Sequence, residues 1–185
     1  MTLTPFQTVG PFFDFGLAYA KGNQLARDGV VGQRIVIEGR VIDGAGAGLP
    51  DALVEIWQAD AHGRYRHPED DRQANADPAF DGFGRTPTDV EGNFRFDTIM
   101  PGRVPGPDGT LQAPHVLLSL LARGVLTRYV TRIYFENDPA LTEDSILRLV
   151  PETRRSTLIA ARTGEHTYRF DVVVQGPGET VFFDI

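Results

Sequence analysis

The chain has 185 residues, 41% of them hydrophobic, which is long and apolar enough for one domain with a buried core. A formal charge of -7 at pH 7 and the lack of a basic run argue against nucleic acid as a partner, and the absence of cysteine excludes disulfides, thiolate metal sites and a thiol nucleophile. We expect a cytoplasmic protein with no membrane association, because no stretch reaches the roughly 18 apolar residues of a membrane span and the N-terminus lacks the features of a secretory signal.

Residues 1–33 are unusually aromatic for a segment that precedes the first strand-like run. Their phenylalanines are Phe6, Phe12, Phe13 and Phe15. Exposed aromatic patches mark association surfaces, so these side chains need cover from this domain or from a partner chain. We predict that residues 1–33 form an arm on a partner chain, and packing on the chain's own domain stays open as the alternative.

Short runs rich in Val, Ile, Phe and Tyr follow the arm, among the 20 glycines and 13 prolines of the chain. This pattern is typical of an antiparallel β-sandwich with few helices. The predicted strands are residues 34–42, 52–58, 93–96, 115–122, 127–135, 167–175 and 180–184. A helical period is present only in residues 141–150 and 154–160, which Pro151 separates.

Two long stretches, residues 69–87 and 100–114, carry Pro, Gly, Asp and Asn with little apolar period. We expect both to be irregular. Loops of this length in a compact domain tend to be functional or to lie in an interface.

Several motifs, in order along nearly the whole chain, resemble the intradiol ring-cleavage dioxygenase family. The most specific is EIWQAD followed by GRY, within the segment from Gly39 to His67. The others are FGRTPTDVEGNFRFDTIMPG, APHVLLSLLARG, TRIYFENDP and the closing YRFDVVVQGPGETVFFDI. The resemblance implies a single domain over residues 1–185, with a prealbumin-like antiparallel β-sandwich, long loops and one or two short helices.

In catalytic members of this family two tyrosinates and two histidines hold Fe(III), in the patterns G-x-Y, P-G-x-Y-P and H-x-H. Phenolate oxygen and imidazole nitrogen suit this hard cation. Two positions keep the family's ligands, Tyr65 in GRYRH and His115 in PHVLLS. The other two hold hydrocarbon side chains, Val104 in PGRVP and Leu117 in His115-Val116-Leu117. We therefore expect Tyr65 and His115 to be vestigial and this chain to bind no metal.

The resemblance then implies a metal-free alpha subunit of a two-chain member of the family. The homologous beta subunit would bind the Fe(III), and the assembly would cleave 3,4-dihydroxybenzoate with O2 to 3-carboxy-cis,cis-muconate. No catalytic residue is expected in the alpha chain alone.

The family's alpha chains also line the partner's cleft with an N-terminal loop and one arginine. Laid onto this sequence, those substrate-binding positions are Thr8, Gly10, Pro11 and Arg123. A planar, permanently charged guanidinium suits the carboxylate of a benzoate. A surface ion pair is the alternative role for Arg123, and three other arginines compete with it for the carboxylate: Arg103, Arg128 and Arg132.

Two other functions stay open. The chain could be a self-sufficient dioxygenase that replaces the missing donors by Tyr129, Tyr134 or His67. It could also be a non-enzymatic binding module that keeps the sandwich without the activity, since a fold alone does not fix a function.

Overall fold

The computed structural model describes residues 5, 7–10, 13–107 and 109–184, with residues 14 and 15 as backbone only. The strands of this part of the chain are β1 (Arg34–Ile42), β2 (Leu53–Trp57), β3 (Phe83–Pro87), β4 (Asn93–Ile99), β5 (His115–Leu121), β6 (Tyr129–Phe135), β7 (Ile159–Arg162), β8 (Thr167–Arg169) and β9 (Val172–Val173). Two short α-helices are α1 (Phe13–Leu17) and α2 (Glu152–Arg155). Short 3-10 turns lie at Gln73–Asn75, Pro139–Thr142, Leu147–Leu149 and Ser156–Leu158.

The strands pair in the order β3-β2-β5-β6-β7-β8-β1-β4, with β9 on β1. Strand β7 joins the two halves, because it runs parallel to β6 and antiparallel to β8. The inner faces of the halves share one core, in which Ile37 of β1 and Phe96 of β4 meet Ile56 of β2 and Leu118 of β5. The predicted β-sandwich with few short helices is confirmed. Three pairings in it are parallel, namely β1 with β8, β1 with β9 and β6 with β7.

Strand β1 has the predicted bounds, and its alternate residues are buried as a strand on a core requires. Gly39 is one of the inward positions. A Cβ there would collide with the carbonyl oxygen of Phe170 and the ring of Phe94, so the close approach of β1 to the chain after β8 needs a glycine.

The predicted strand 167–175 is split by a side chain. The Asp171 carboxylate accepts the backbone N–H of Arg40 at 2.9 Å, in the place of a ladder bond between β1 and its neighbour. Strands β8 and β9 therefore pair with β1 on either side of this contact. The predicted strand 180–184 is also wrong, since Thr180 and Phe183 each make one backbone bond, to Val173 and Val130, and form no ladder.

Two strands were not predicted. Strand β3 lies in the predicted loop 69–87 and reads FGRTP, with one large apolar residue. Among the described strands it pairs only with β2, as an edge strand, where Pro87 at its end is tolerated. Strand β7 replaces the end of the predicted helix 154–160, because Ile159 and Ala160 pair with β6 and Ala160 is fully buried.

The helical prediction for residues 141–150 is also wrong, since the segment contains 3-10 turns around a buried carboxylate. Asp144 is fully buried and accepts the backbone N–H groups of Ile146 and Leu147. It also accepts the N–H of Ala113 at 2.7 Å, so it ties this segment to the start of β5.

The N-terminal arm lies partly on this chain's own domain. The backbone N–H groups of Leu25 and Ala26 donate to the Asp97 carbonyl of β4, and the Leu25 side chain is buried in the core. Phe6 and Phe12 lie outside the described residues. Packing of the preceding part of the arm on a partner stays a prediction. In the described part of the chain no helix is long and apolar enough to span a membrane.

Candidate functional site

A cavity of about 700 Å³ opens at one end of the sandwich, where β2 ends and β5 begins. Its walls come from the end of β2 and the loop after it, from the loop before β5 and the start of β5, and from one residue of β6, Arg132. The backbones of the two loops are in contact at Gly63 and Gly102. A Cβ on Gly63, whose φ is +73°, would collide with the Arg103 carbonyl, so this junction requires glycine.

Two carboxylates, one of them the buried Asp60, hold the first loop in place. The Asp60 side chain accepts the backbone N–H groups of His62 and Arg64 at 2.8 and 3.0 Å, and Asp70 accepts that of Tyr65 at 2.9 Å. The Tyr65 ring stacks on Trp57, with ring centroids 5.7 Å apart and planes 9° apart. Burial raises the pKa of the Tyr65 phenol, so the hydroxyl stays protonated at neutral pH.

All four positions matched to iron ligands line this one cavity: Tyr65, Val104, His115 and Leu117. They come together in space although the first and the last are far apart in the sequence. Val104 and Leu117 present hydrocarbon to it, and Val104 is 5% exposed. His115 stands at the start of β5, and its Nδ1 lies 2.8 Å from the Ala113 carbonyl oxygen. Because a carbonyl only accepts, Nδ1 carries the proton of the neutral ring.

Arg132 shapes the electrostatics of the cavity. Burial first, and the Arg132 guanidinium second, lower the pKa of His115 to about 4. Arg132 Nη1 donates to Gln112 Oε1 at 2.6 Å and lies 3.4 Å from the Tyr134 hydroxyl. Tyr134 in turn donates to Asp144 at 3.0 Å, and burial raises the pKa of its phenol.

The residues predicted to meet substrate lie elsewhere. Arg123 follows β5, whose first residue lines the cavity, so it lies roughly 25 Å away at the other end of the strand. Its Nη2 is 3.2 Å from Asp51 Oδ2, and both side chains are about half exposed. The Thr8 hydroxyl accepts the backbone N–H of Gly124 at 2.7 Å. Thr8 and Arg123 thus come together, while Pro11 lies outside the described residues and Gly10 has open space around its Cα.

A family model described as Dioxygenase matches residues 9–176. The protocatechuate 3,4-dioxygenase alpha chain of Pseudomonas putida is 41% identical, over 98% of this chain and 96% of that protein. The chain belongs to the intradiol ring-cleavage dioxygenase family. The alpha chain of the Burkholderia cepacia enzyme is 38% identical over 98% of this chain and 97% of its own length, and the beta chain from the same organism is 42% identical over 81% and 68%.

Solved intradiol dioxygenases share the fold. The dioxygenase domain of a carbohydrate-binding fusion protein from Streptomyces sp. SirexAA-E superimposes with a TM-score of 0.63 at 25% identity, covering 82% of this chain and 85% of that one. The 3-chlorocatechol 1,2-dioxygenase of Rhodococcus opacus 1CP gives a TM-score of 0.63 at 22% identity, over 83% and 65%.

Intradiol dioxygenases use iron, but the side chains of this cavity do not fit it. Val104 and Leu117 have no lone pair to donate, and Tyr65 and His115 alone would leave a cation weakly held. Among the described residues no cluster of three or more His, Cys, Asp or Glu side chains could hold a metal ion.

The donors considered as replacements do not repair the site. Tyr134 is buried and bonded to Asp144, Tyr129 stacks on Phe182, and neither lines the cavity. His67 does line it, but packs edge-on against Trp57 and is a single further donor. The geometry therefore disfavours a self-sufficient dioxygenase.

Trp57, Gln112 and Arg132 are among the cavity residues that were not singled out from the sequence as its walls. Arg132 had a visible signal, because it is a charge inside the apolar strand YVTRIYF. It was considered only as a competitor of Arg123. Of the other competitors, Arg103 donates to the Gln112 and Leu111 carbonyls, and Arg128 is exposed just before β6.

Proposed function

We propose that this chain is the metal-free alpha subunit of a protocatechuate 3,4-dioxygenase, and that a homologous beta subunit binds the Fe(III). The observation that carries the proposal is the pair of hydrocarbon side chains, Val104 and Leu117, in a cavity that otherwise keeps Tyr65 and His115. A chain similar to alpha chains over 98% of its length, but without two iron donors, needs a partner for the chemistry.

The assembled enzyme would insert both atoms of O2 between the two hydroxyl-bearing carbons of 3,4-dihydroxybenzoate and release 3-carboxy-cis,cis-muconate. No step is assigned to a metal in this chain. Its own contribution would be to close the partner's cleft against water and to offer positive charge at its mouth through Arg123.

The local geometry suits this role. The Thr8 hydroxyl fixes the loop after β5 through the Gly124 N–H, and Arg123 projects from the same loop with a half-exposed side chain. An exposed apolar side chain, Leu126, lies three residues further on, at 58% exposure. A charged group beside apolar surface is what the rim of a subunit interface provides.

The first test is assembly. Expressed alone, the chain is expected to aggregate or to be poorly soluble, because the aromatic arm and the apolar surface around Leu126 lose their cover. Co-expression with a beta subunit that carries G-x-Y, P-G-x-Y-P and H-x-H should give a soluble complex that consumes O2 with 3,4-dihydroxybenzoate. Size-exclusion chromatography measures the formation of the complex, and an oxygen electrode measures its O2 consumption. A monodisperse monomer that never co-purifies with the beta subunit would contradict the proposal.

A further inference from the structure

The cavity of this chain contains a cation, the Arg132 guanidinium, that no carboxylate of the described residues neutralises directly. Among the described residues, no Asp or Glu oxygen lies within ion-pair distance of Arg132, whose hydrogen bonds go to the neutral Gln112 amide and the Tyr134 hydroxyl. Both use Nη1, so Nε and Nη2 have no hydrogen-bond partner in the described part of the chain. A guanidinium with two adjacent free N–H groups presents the fork that a carboxylate accepts.

The other charged side chains near the cavity do not cancel this one. Arg72 is held by Asp70 through two bonds, at 3.0 and 2.9 Å, so the pair adds no net charge. Glu69 and Asp71 are exposed and lie at the rim. They disfavour a second negative charge on a ligand that enters past them. The inner cavity thus suits a monoanion.

The walls around Arg132 are apolar and aromatic. Val104 and Leu117 supply hydrocarbon, and the stacked rings of Trp57 and Tyr65 give a flat surface. A phosphate would need several further donors next to Arg132, and the neighbouring Val104 and Leu117 offer none, whereas an aromatic ring with one carboxylate matches both the cation and the apolar walls.

We infer that this cavity binds one small aromatic carboxylate without a metal, with the carboxylate on the Arg132 guanidinium and the ring against Trp57, Val104 and Leu117. This second, non-catalytic site belongs to the chain itself. It therefore does not depend on the proposed role of Arg123 or on a partner.

The test counts benzoate sites by equilibrium dialysis on the protein in the assembly in which it is purified. We expect one site per copy of this chain, in addition to any site on a beta subunit. Arg132→Gln, which removes the charge but can still bond Gln112, should lose that site or weaken it by about tenfold or more. Benzyl alcohol, which lacks the carboxylate, should not displace the bound benzoate.

Two further variants keep the result clear. Leu117→Phe fills the cavity without touching the charge and should also remove the site, whereas Arg128→Gln, an exposed arginine four residues earlier, should keep it. Where the chain is obtained without a partner, quenching of Trp57, its one tryptophan, reports the same binding. An equal number and affinity of sites in the wild type and in Arg132→Gln, or equal binding of inorganic phosphate, would overturn the inference.

Discussion

Arg123→Ala in the assembled, iron-loaded enzyme is expected to raise KM for 3,4-dihydroxybenzoate far more than it lowers kcat. A charge-assisted hydrogen bond to a carboxylate is worth roughly 1.5–3 kcal/mol, on the order of ten- to a hundredfold in KM. Asp51 competes with the substrate for the same guanidinium through its half-exposed ion pair, so we expect an increase in KM towards the lower end of this range. The loop itself should survive, because the Thr8 bond to it uses the backbone N–H of Gly124.

Catechol is the matched control, since it lacks the carboxylate and its kcat/KM should barely change in the same variant. Asp51→Asn is a second control, because it frees Arg123 and should lower KM for 3,4-dihydroxybenzoate or leave it unchanged. Equal losses on both substrates would show that Arg123 holds the subunits together. Unchanged values on both would make it an ordinary surface residue.

His115→Gln is expected to remove much of the loss of stability that the protein suffers in mild acid. The pKa of His115 is lowered to about 4, against an ordinary 6.5, by burial and then by Arg132. The unfolded chain therefore binds a proton between these pH values that the folded chain does not. Above pH 6.5 the His115 ring is neutral in both the folded and the unfolded chain, so its burial costs no stability from protonation. As the pH drops from 6.5 towards 4 the free energy of unfolding falls, by about 2 kcal/mol between pH 7 and 4.5.

Unfolding midpoints of the assembly at pH 7 and pH 4.5 measure this dependence. The wild type should lose more stability on acidification than His115→Gln, while His62→Gln, which changes an exposed histidine, should behave as the wild type. The same acid sensitivity in all three proteins would show that His115 is protonated in the folded state.

The sequence predicted the sandwich well where side chains alternate over a long run. Strand β1 has nine residues with alternate positions buried, and its bounds agree with the prediction. Strand β3 was missed because FGRTP carries only one large apolar residue, and β7 because the four residues of IAAR are too few to show a period; their partners β2 and β6 supply the pairing. The helix prediction for residues 141–150 was wrong because the Asp144 carboxylate accepts hydrogen bonds from the backbone N–H groups of Ile146 and Leu147.

The site was predictable only in part. The resemblance supplied Tyr65, Val104, His115 and Leu117, and they do line one cavity. The sequence spacing of these residues could not have predicted that they lie close together, because their proximity depends on the contact of two loops at Gly63 and Gly102. The bond between Arg132 and Gln112, twenty residues apart, depends on how the loop before β5 folds back over β6. No local pattern encodes that contact.

Iron analysis tests the central claim most directly. The chain is purified with and without its beta subunit, and the metal is quantified per copy of each chain together with the visible absorption of iron-bound tyrosinate. We predict no stoichiometric iron and no colour in this chain alone, and one ferric ion for each alpha-beta pair in the complex, because Val104 and Leu117 offer no donor atoms to the cavity. One ferric ion per copy of the isolated chain would contradict the account.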